Sequence, residues 1–142
     1  MLLVATIAAG WLLARLAPLP WPGLDDMPAR IVGIGLGLAG FVLMGWAALT
    51  FRRHRTTIMP HKGADALVTD GPFRRYRNPI YVADVLLILG AAELSKSIWM
   101  VMLVPVFVAA VTWLAILPEE RHLEARFGDA YRAYKTRTRR WI

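Results

Sequence analysis

The sequence contains no cysteine, which excludes disulfides, thiolate metal sites and a cysteine nucleophile and leaves the redox compartment unmarked. Acids are scarce too: 10 Asp and Glu stand against 17 Lys and Arg, a net charge of +7, and charged residues of both signs make up only 19% of the chain. Regular alternation of polar and apolar residues is missing. What replaces it is long apolar blocks in a chain that is 57% hydrophobic, a pattern that suits lipid and not a soluble core. In a soluble protein the basic surplus would suggest nucleic acid. Beside apolar spans it marks the cytoplasmic face and its anionic phospholipids, so no nucleic-acid partner is expected.

At 142 residues the chain is expected to form a single domain, residues 1–142. Apolar blocks at about residues 1–19, 30–51, 79–94 and 97–117 each approach the roughly 20 residues that cross a ~30 Å hydrocarbon core. The first has no basic residue ahead of it and no small-residue cleavage site, so it reads as a helix and not as a signal peptide. Pro18, Pro20, Pro22 and Gly23 turn the chain toward the second block, and a few residues around Glu93 to Ser97 join the third and fourth. The expected fold is therefore all-α: a polytopic membrane protein of four transmembrane helices in two hairpins, with a short cytoplasmic C-terminal helix.

The basic residues orient this arrangement. Arg52, Arg53, Arg55, Lys62, Arg74, Arg75 and Arg77 lie between the second and third blocks. Arg121, Arg126, Arg132, Lys135, Arg137, Arg139 and Arg140 lie beyond the fourth, which leaves only Arg15, Arg30 and Lys96 elsewhere. With four crossings both rich segments fall on one side, so both termini and the 52–78 loop are expected to be cytoplasmic. Trp99 and Trp141 read as interfacial anchors.

Gly35, Gly37 and Gly40 satisfy a dinucleotide-binding glycine pattern, but no strand precedes them and no helix opens there. Gly33, Gly37, Gly40 and Met44 recur instead at helical spacing, as a flat seam for close helix packing. Glu119 and His122 form half of a carboxylate-bridged metal site, and the chain carries no second such pair, so no metal is expected. His54 and His61 lie in a polar loop and do not face each other within helices, which argues against haem. Asp84 is the one acid well inside a span, where it either serves function or pairs with a loop arginine.

Two segments carry the chemistry, about 52–81 and 118–142. In the first, Asp70-Gly71-Pro72 makes a turn and Pro79 suits the first helical position. The uncapped N–H groups of the helix that begins there favour a carboxylate or other anion. The second holds Glu119-Glu120, Phe127-Gly128, Tyr131 with Tyr134, and Arg139-Arg140-Trp141.

Together with Gly71-Pro72-Phe73-Arg74 and Arg77-Asn78-Pro79-Ile80-Tyr81, this ordered set resembles the isoprenylcysteine carboxyl methyltransferase and phospholipid methyltransferase group of integral membrane enzymes, over about the last ninety residues. The resemblance implies an enzyme that transfers methyl from S-adenosylmethionine to a lipid-like or small apolar acceptor entering from the bilayer. A phospholipid amine is the alternative acceptor, and a non-catalytic protein that binds anionic lipid is the alternative class. The cofactor-binding set it implies is His61, Leu67, Val68, Gly71, Arg77, Asn78, Pro79, Tyr81, Glu119, Glu120 and Tyr134. By charge complementarity Arg77 suits the methionine carboxylate, Glu119 or Glu120 the ribose diol or ammonium, and Tyr81 and Tyr134 the adenine. Glu120, Arg139 and Arg140 are the catalytic candidates, as base and acceptor-positioning cations. Asn78 stands where eukaryotic-type carboxyl methyltransferases resemble a histidine, and an asparagine carries no proton at neutral pH.

Overall fold

The computed structural model describes residues 1–54 and 67–142. Among these residues six α-helices run α1 (Leu2–Leu16), α2 (Met27–Arg53), α3 (Pro79–Ser95), α4 (Ile98–Val111), α5 (Leu117–Phe127) and α6 (Asp129–Arg137). A 3-10 turn at Gly71–Arg74 precedes α3, and a π turn at Thr112–Ile116 joins α4 to α5. Among the described residues the only β pairing is a single bridge, Tyr76 to Arg139. The all-helical expectation holds.

Among the described residues two helices are long and apolar enough to cross a membrane, Met27–Arg53 and the continuous Ile98–Phe127. At 1.5 Å per residue they reach ~40 and ~45 Å, whereas α1 reaches only ~22 Å. Local chemistry explains the α2 limits. Asp26 accepts a hydrogen bond from the Ala29 N–H at 2.9 Å as its N-cap, Pro28 sits in the first turn, and Arg52 and Arg53 occupy the last.

The expected end of the fourth helix at Leu117 is corrected: the apolar run stops there, but the helix continues to Phe127. Pro118 lacks the N–H that would bond the Leu114 carbonyl. The π turn just before it, closed by the Leu117 N–H on Thr112 O, absorbs that defect without ending the helix. The extra residue in that turn rotates the polar end of the helix by about 100°, which carries Glu120 into the protein interior.

The pairing of the first two helices is also corrected. Helices α1 and α2 do not form a packed hairpin; α2 lies along α3, and α1 lies against α4 and α3. A glycine seam draws α2 to α3. A Cβ on Gly90 would stand 2.8 Å from Gly37 N and 2.9 Å from Gly33 O, and one on Gly40 would stand 2.9 Å from Ala83 O. Meanwhile the proline-rich connection from α1 passes over the α3–α4 turn. Lys96, left-handed at the end of α3, donates to Leu24 O at 3.2 Å and pairs with Glu93 and Asp25, and Trp99 Nε1 donates to Ala17 O at 2.7 Å. Trp99 thus ties two segments together. Trp141, partly buried, packs on the core of Ile88, Met100, Phe107, Val111 and Ile116.

Because the obstacles at Gly90 are backbone atoms, no side-chain rotation relieves them. Gly90→Ala is expected to lower unfolding stability in detergent by about 1 to 3 kcal/mol. An unchanged thermal midpoint would show that the two helices part at little cost.

Candidate functional site

The described parts of the two motif segments, 67–81 and 118–142, meet at one end of the bundle, where α3 begins and α5 emerges past the apolar run that ends at Leu117. Gly71 opens the 3-10 turn at φ +54°, against Thr50 of α2: a Cβ there would stand 2.6 Å from Thr50 Oγ1. Only glycine combines that angle with that approach. Phe73 then enters a small core with Ala47 and Val68, its ring 4.7 Å from Phe51. At the rim His54 meets Asp70 at 2.8 Å, and that hydrogen bond holds the Asp70 carboxyl below its ordinary range.

From this turn the chain runs beside its own C-terminal end. Arg77 N–H donates to Arg139 O at 2.8 Å and Arg139 N–H to Arg75 O at 3.1 Å, a parallel bridge between segments 62 residues apart in sequence. Asn78 Nδ2 donates to Arg140 O at 3.0 Å. Beneath the bridge lies a buried ionic clamp. Arg77 Nε reaches Glu120 Oε1 at 3.2 Å, while Arg77 Nη1 donates to Lys135 O at 3.1 Å and Thr138 O at 2.6 Å. Arg140 holds both oxygens of the same carboxylate, at 3.0 and 2.7 Å. Tyr134, buried beside Tyr131, donates its hydroxyl to Phe73 O at 2.7 Å.

These contacts split the two adjacent glutamates. Burial alone would raise the Glu120 carboxyl, but hydrogen bonds and charge from Arg140 and Arg77 outweigh it and leave it below its ordinary value. Glu119 has no hydrogen-bond or ion-pair partner among the described residues. Burial, and then the neighbouring Glu120 charge, push its carboxyl up. Opposed environments on consecutive residues mark different jobs. Burial likewise pushes the Tyr131 hydroxyl up to about 12.

Glu119 and Asp84 both lie close enough to Tyr81 to act on its hydroxyl. Asp84 is buried, 8% exposed, and makes no hydrogen bond or ion pair among the described residues. Of the two readings for Asp84, pairing with a loop arginine is not seen among the described residues, where Arg77 is committed to Glu120. Every other described acid has a polar partner: Asp25 and Glu93 with Lys96, Asp26 with Ala29 N–H, Asp70 with His54, Glu120 with its arginines, Glu124 with Lys135, Asp129 with Arg132. In a chain of net charge +7, the two acids without a partner among the described residues both act on one half-buried tyrosine.

The other sequence candidates occupy varied surroundings. Pro79 is buried at the first position of α3, where it lacks a donor that would be unsatisfied anyway, and no side chain caps that helix. Val68 is buried, Leu67 half-buried and Arg139 exposed. His61 lies outside the described residues. Sequence reasoning misses the contributions of Thr138 and of the Lys135 carbonyl to the clamp, because backbone and hydroxyl acceptors leave no signature in a sequence.

A family model described as phospholipid methyltransferase matches residues 28–130. An uncharacterized protein of Haemophilus influenzae is similar, 43% identical over 37 residues, or 26% of this chain. The chain spans 59% of that relative's length. No solved structure matches.

Proposed function

The chain belongs to the phospholipid methyltransferase family, and from that premise we propose that it is a membrane-embedded methyltransferase using S-adenosylmethionine on a lipid-like or small apolar acceptor. The observation that carries the reading is Glu119, a carboxylate with no partner among the described residues, near enough to Tyr81 at the uncapped start of α3 to act on its hydroxyl. When bound, S-adenosylmethionine supplies an electrophilic methyl group on a sulfonium. The donor set suits that molecule: Glu119 accepts from ribose hydroxyls or the ammonium, the free N–H groups at the start of α3 suit its carboxylate, and Tyr81 offers a ring wall.

Arg77, Glu120 and Arg140 have another task in this reading. With the Glu120 oxygens held by two guanidiniums, the group is not free to act as a base, and it instead fixes the C-terminal segment over the site. Methyl transfer by in-line displacement depends on alignment and on a dry pocket, which such a clamp supplies. We place four crossings, with both termini and the basic segments on the cytoplasmic side, so that the acceptor enters laterally from lipid.

A second reading concerns the acceptor. Asp84 and Glu119, each without an arginine partner among the described residues, both act on the Tyr81 hydroxyl, and acids so placed favour an ammonium headgroup over a carboxylate. On that reading the acceptor is a phospholipid amine, and Asp84 takes up its proton. A carboxylate acceptor would instead need a cation, for which Arg139 is exposed at the rim.

Purified protein in detergent is expected to bind S-adenosylmethionine saturably without added metal and to transfer labelled methyl into a lipid extract. Mild base separates the acceptors, because a methyl ester releases the label as methanol and an N-methyl group does not. A folded, monodisperse sample that binds neither S-adenosylmethionine nor S-adenosylhomocysteine would overturn the enzyme reading.

A further inference from the structure

At the end of the bundle remote from the clamp, α1 closes on the α3–α4 turn. Gly10 is pressed to the start of α4, where a Cβ would stand 2.5 Å from Met100 Cγ, and Ser97 Oγ donates to Gly10 O at 3.4 Å. Beyond that contact a cleft of about 190 Å³ opens, lined by Trp11, Ala14, Arg15, Ser95, Ser97 and Met100. Arg15 stands one turn after Trp11 and stacks on it, its guanidinium carbon 4.3 Å from the ring centroid. It has no carboxylate partner among the described residues, and no acid lines the cleft. Exposed Leu12 and Leu16 continue outward from it along α1.

We propose that this cleft binds the head of one anionic phospholipid, with Arg15 on the phosphate and the acyl chains running from it past Leu12 toward the middle of α1. Its volume falls below the ~300 to 1,000 Å³ of sites for drug-sized molecules, so it does not suit the adenosyl cofactor. A phosphate fits the one guanidinium and the apolar walls, while the Ser95 and Ser97 hydroxyls, which donate to Ala91 O at 2.6 Å and Gly10 O at 3.4 Å, keep lone pairs that accept from a glycerol hydroxyl of the head. Arginine matches phosphate geometry through its planar fork, and the indole already holds that fork in place. A zwitterionic head would bring a second cation beside Arg15 with no carboxylate to receive it, so the site selects net negative charge. The site lies on the opposite face from the basic segments. It rests on membrane embedding but not on methyl transfer.

The test is native mass spectrometry on the delipidated full chain in detergent, titrated with phosphatidylglycerol or phosphatidylcholine of matched acyl chains. The parent is expected to retain phosphatidylglycerol over phosphatidylcholine by about fivefold at this site. Arg15→Gln should lower the number of retained phosphatidylglycerols by one, and Arg15→Lys should keep part of the preference. Ala14→Leu, which fills the cleft and leaves the charge intact, should lower it equally, so the test survives a failure of the arginine variant to fold. Unchanged retention in the folded variants, equal retention of the two lipids by the parent, or displacement by inorganic phosphate at millimolar concentration would overturn the proposal. Partition of the parent into the aqueous phase on detergent phase separation would instead overturn membrane embedding itself.

Discussion

Glu120→Ala is expected to destabilise the protein by about 3 to 5 kcal/mol, the usual consequence of removing one member of a buried ion pair and leaving the other charged. The reason is geometric. Arg77 and Arg140 converge on one buried carboxylate, and Arg77 also carries the carbonyls of Lys135 and Thr138. Without Glu120, the Arg77 charge stays in a dry site with only carbonyl dipoles to compensate it. Arg77→Ala strands the opposite charge, and Arg140, itself 37% exposed, is expected to relieve part of the cost by keeping its bidentate contact. The order of damage is thus Glu120→Ala, then Arg77→Ala. Thermal unfolding in detergent reads it directly, and limited proteolysis should show the segment after Phe127 released first. A Glu120→Ala protein with the parent's midpoint would mean that the clamp is ornamental and that α6 is held by Tyr131 and Tyr134 alone. Acid should mimic the substitution. Since the Glu120 carboxyl is held below its ordinary value, it adds stability above the unfolded glutamate pKa of about 4.3, and that share is lost as pH falls through the depressed folded value.

Glu119→Gln is expected to do the reverse: to weaken S-adenosylmethionine binding about ten- to a hundredfold, the effect of losing a charge-assisted hydrogen bond, while stability holds or rises. Burial opposes ionisation of Glu119 and pushes its carboxyl up. A raised folded pKa gives stability that is complete at low pH and is lost as pH rises through that pKa. Glutamine removes the penalty along with the charge. The two neighbours should therefore separate on one titration. Falling pH protonates Glu119 first, so affinity declines from above pH ~4.3 while the clamp is intact; unfolding sets in only below it. Calorimetric binding and thermal unfolding across the same buffers make the comparison. Should Glu119→Gln bind like the parent, the unpaired carboxylate is not a cofactor group and the assignment fails. Should affinity and stability fall together as pH drops, the glutamates act as one unit.

These two substitutions show how much of the site the sequence made legible. The motif residues are recognisable as a set, and the structure does bring Gly71, Arg77, Asn78, Pro79, Tyr81, Glu119, Glu120, Tyr134 and Arg140 to one end of the bundle. Their division of labour is not recognisable. Arg77 reads from charge alone as a partner for a ligand carboxylate, and the adjacent glutamates read as equivalent. A partner 43 residues away in sequence is invisible to any local pattern, and only one of two neighbouring helix positions can face a given arginine.

The sequence by itself determined the helical, apolar character of the chain, the place of α2 to within a few residues of its ends, the start of α3, and the gathering of basic charge in two segments. These features arise from block hydrophobicity, capping chemistry and proline's missing donor, all of which act within a few residues. The tertiary structure decided the rest. Packing of the Gly33–Gly40 seam against Gly90 chose α3 over α1 as the neighbour of α2, because backbone approach depends on which small residues face one another in space. The π turn ahead of Pro118 carried the fourth helix on to Phe127 and turned Glu120 toward Arg77 and Arg140. A rotation of about 100° per residue is enough to make one glutamate a structural anchor and leave the other unpaired, and that choice is made only when the helices are assembled.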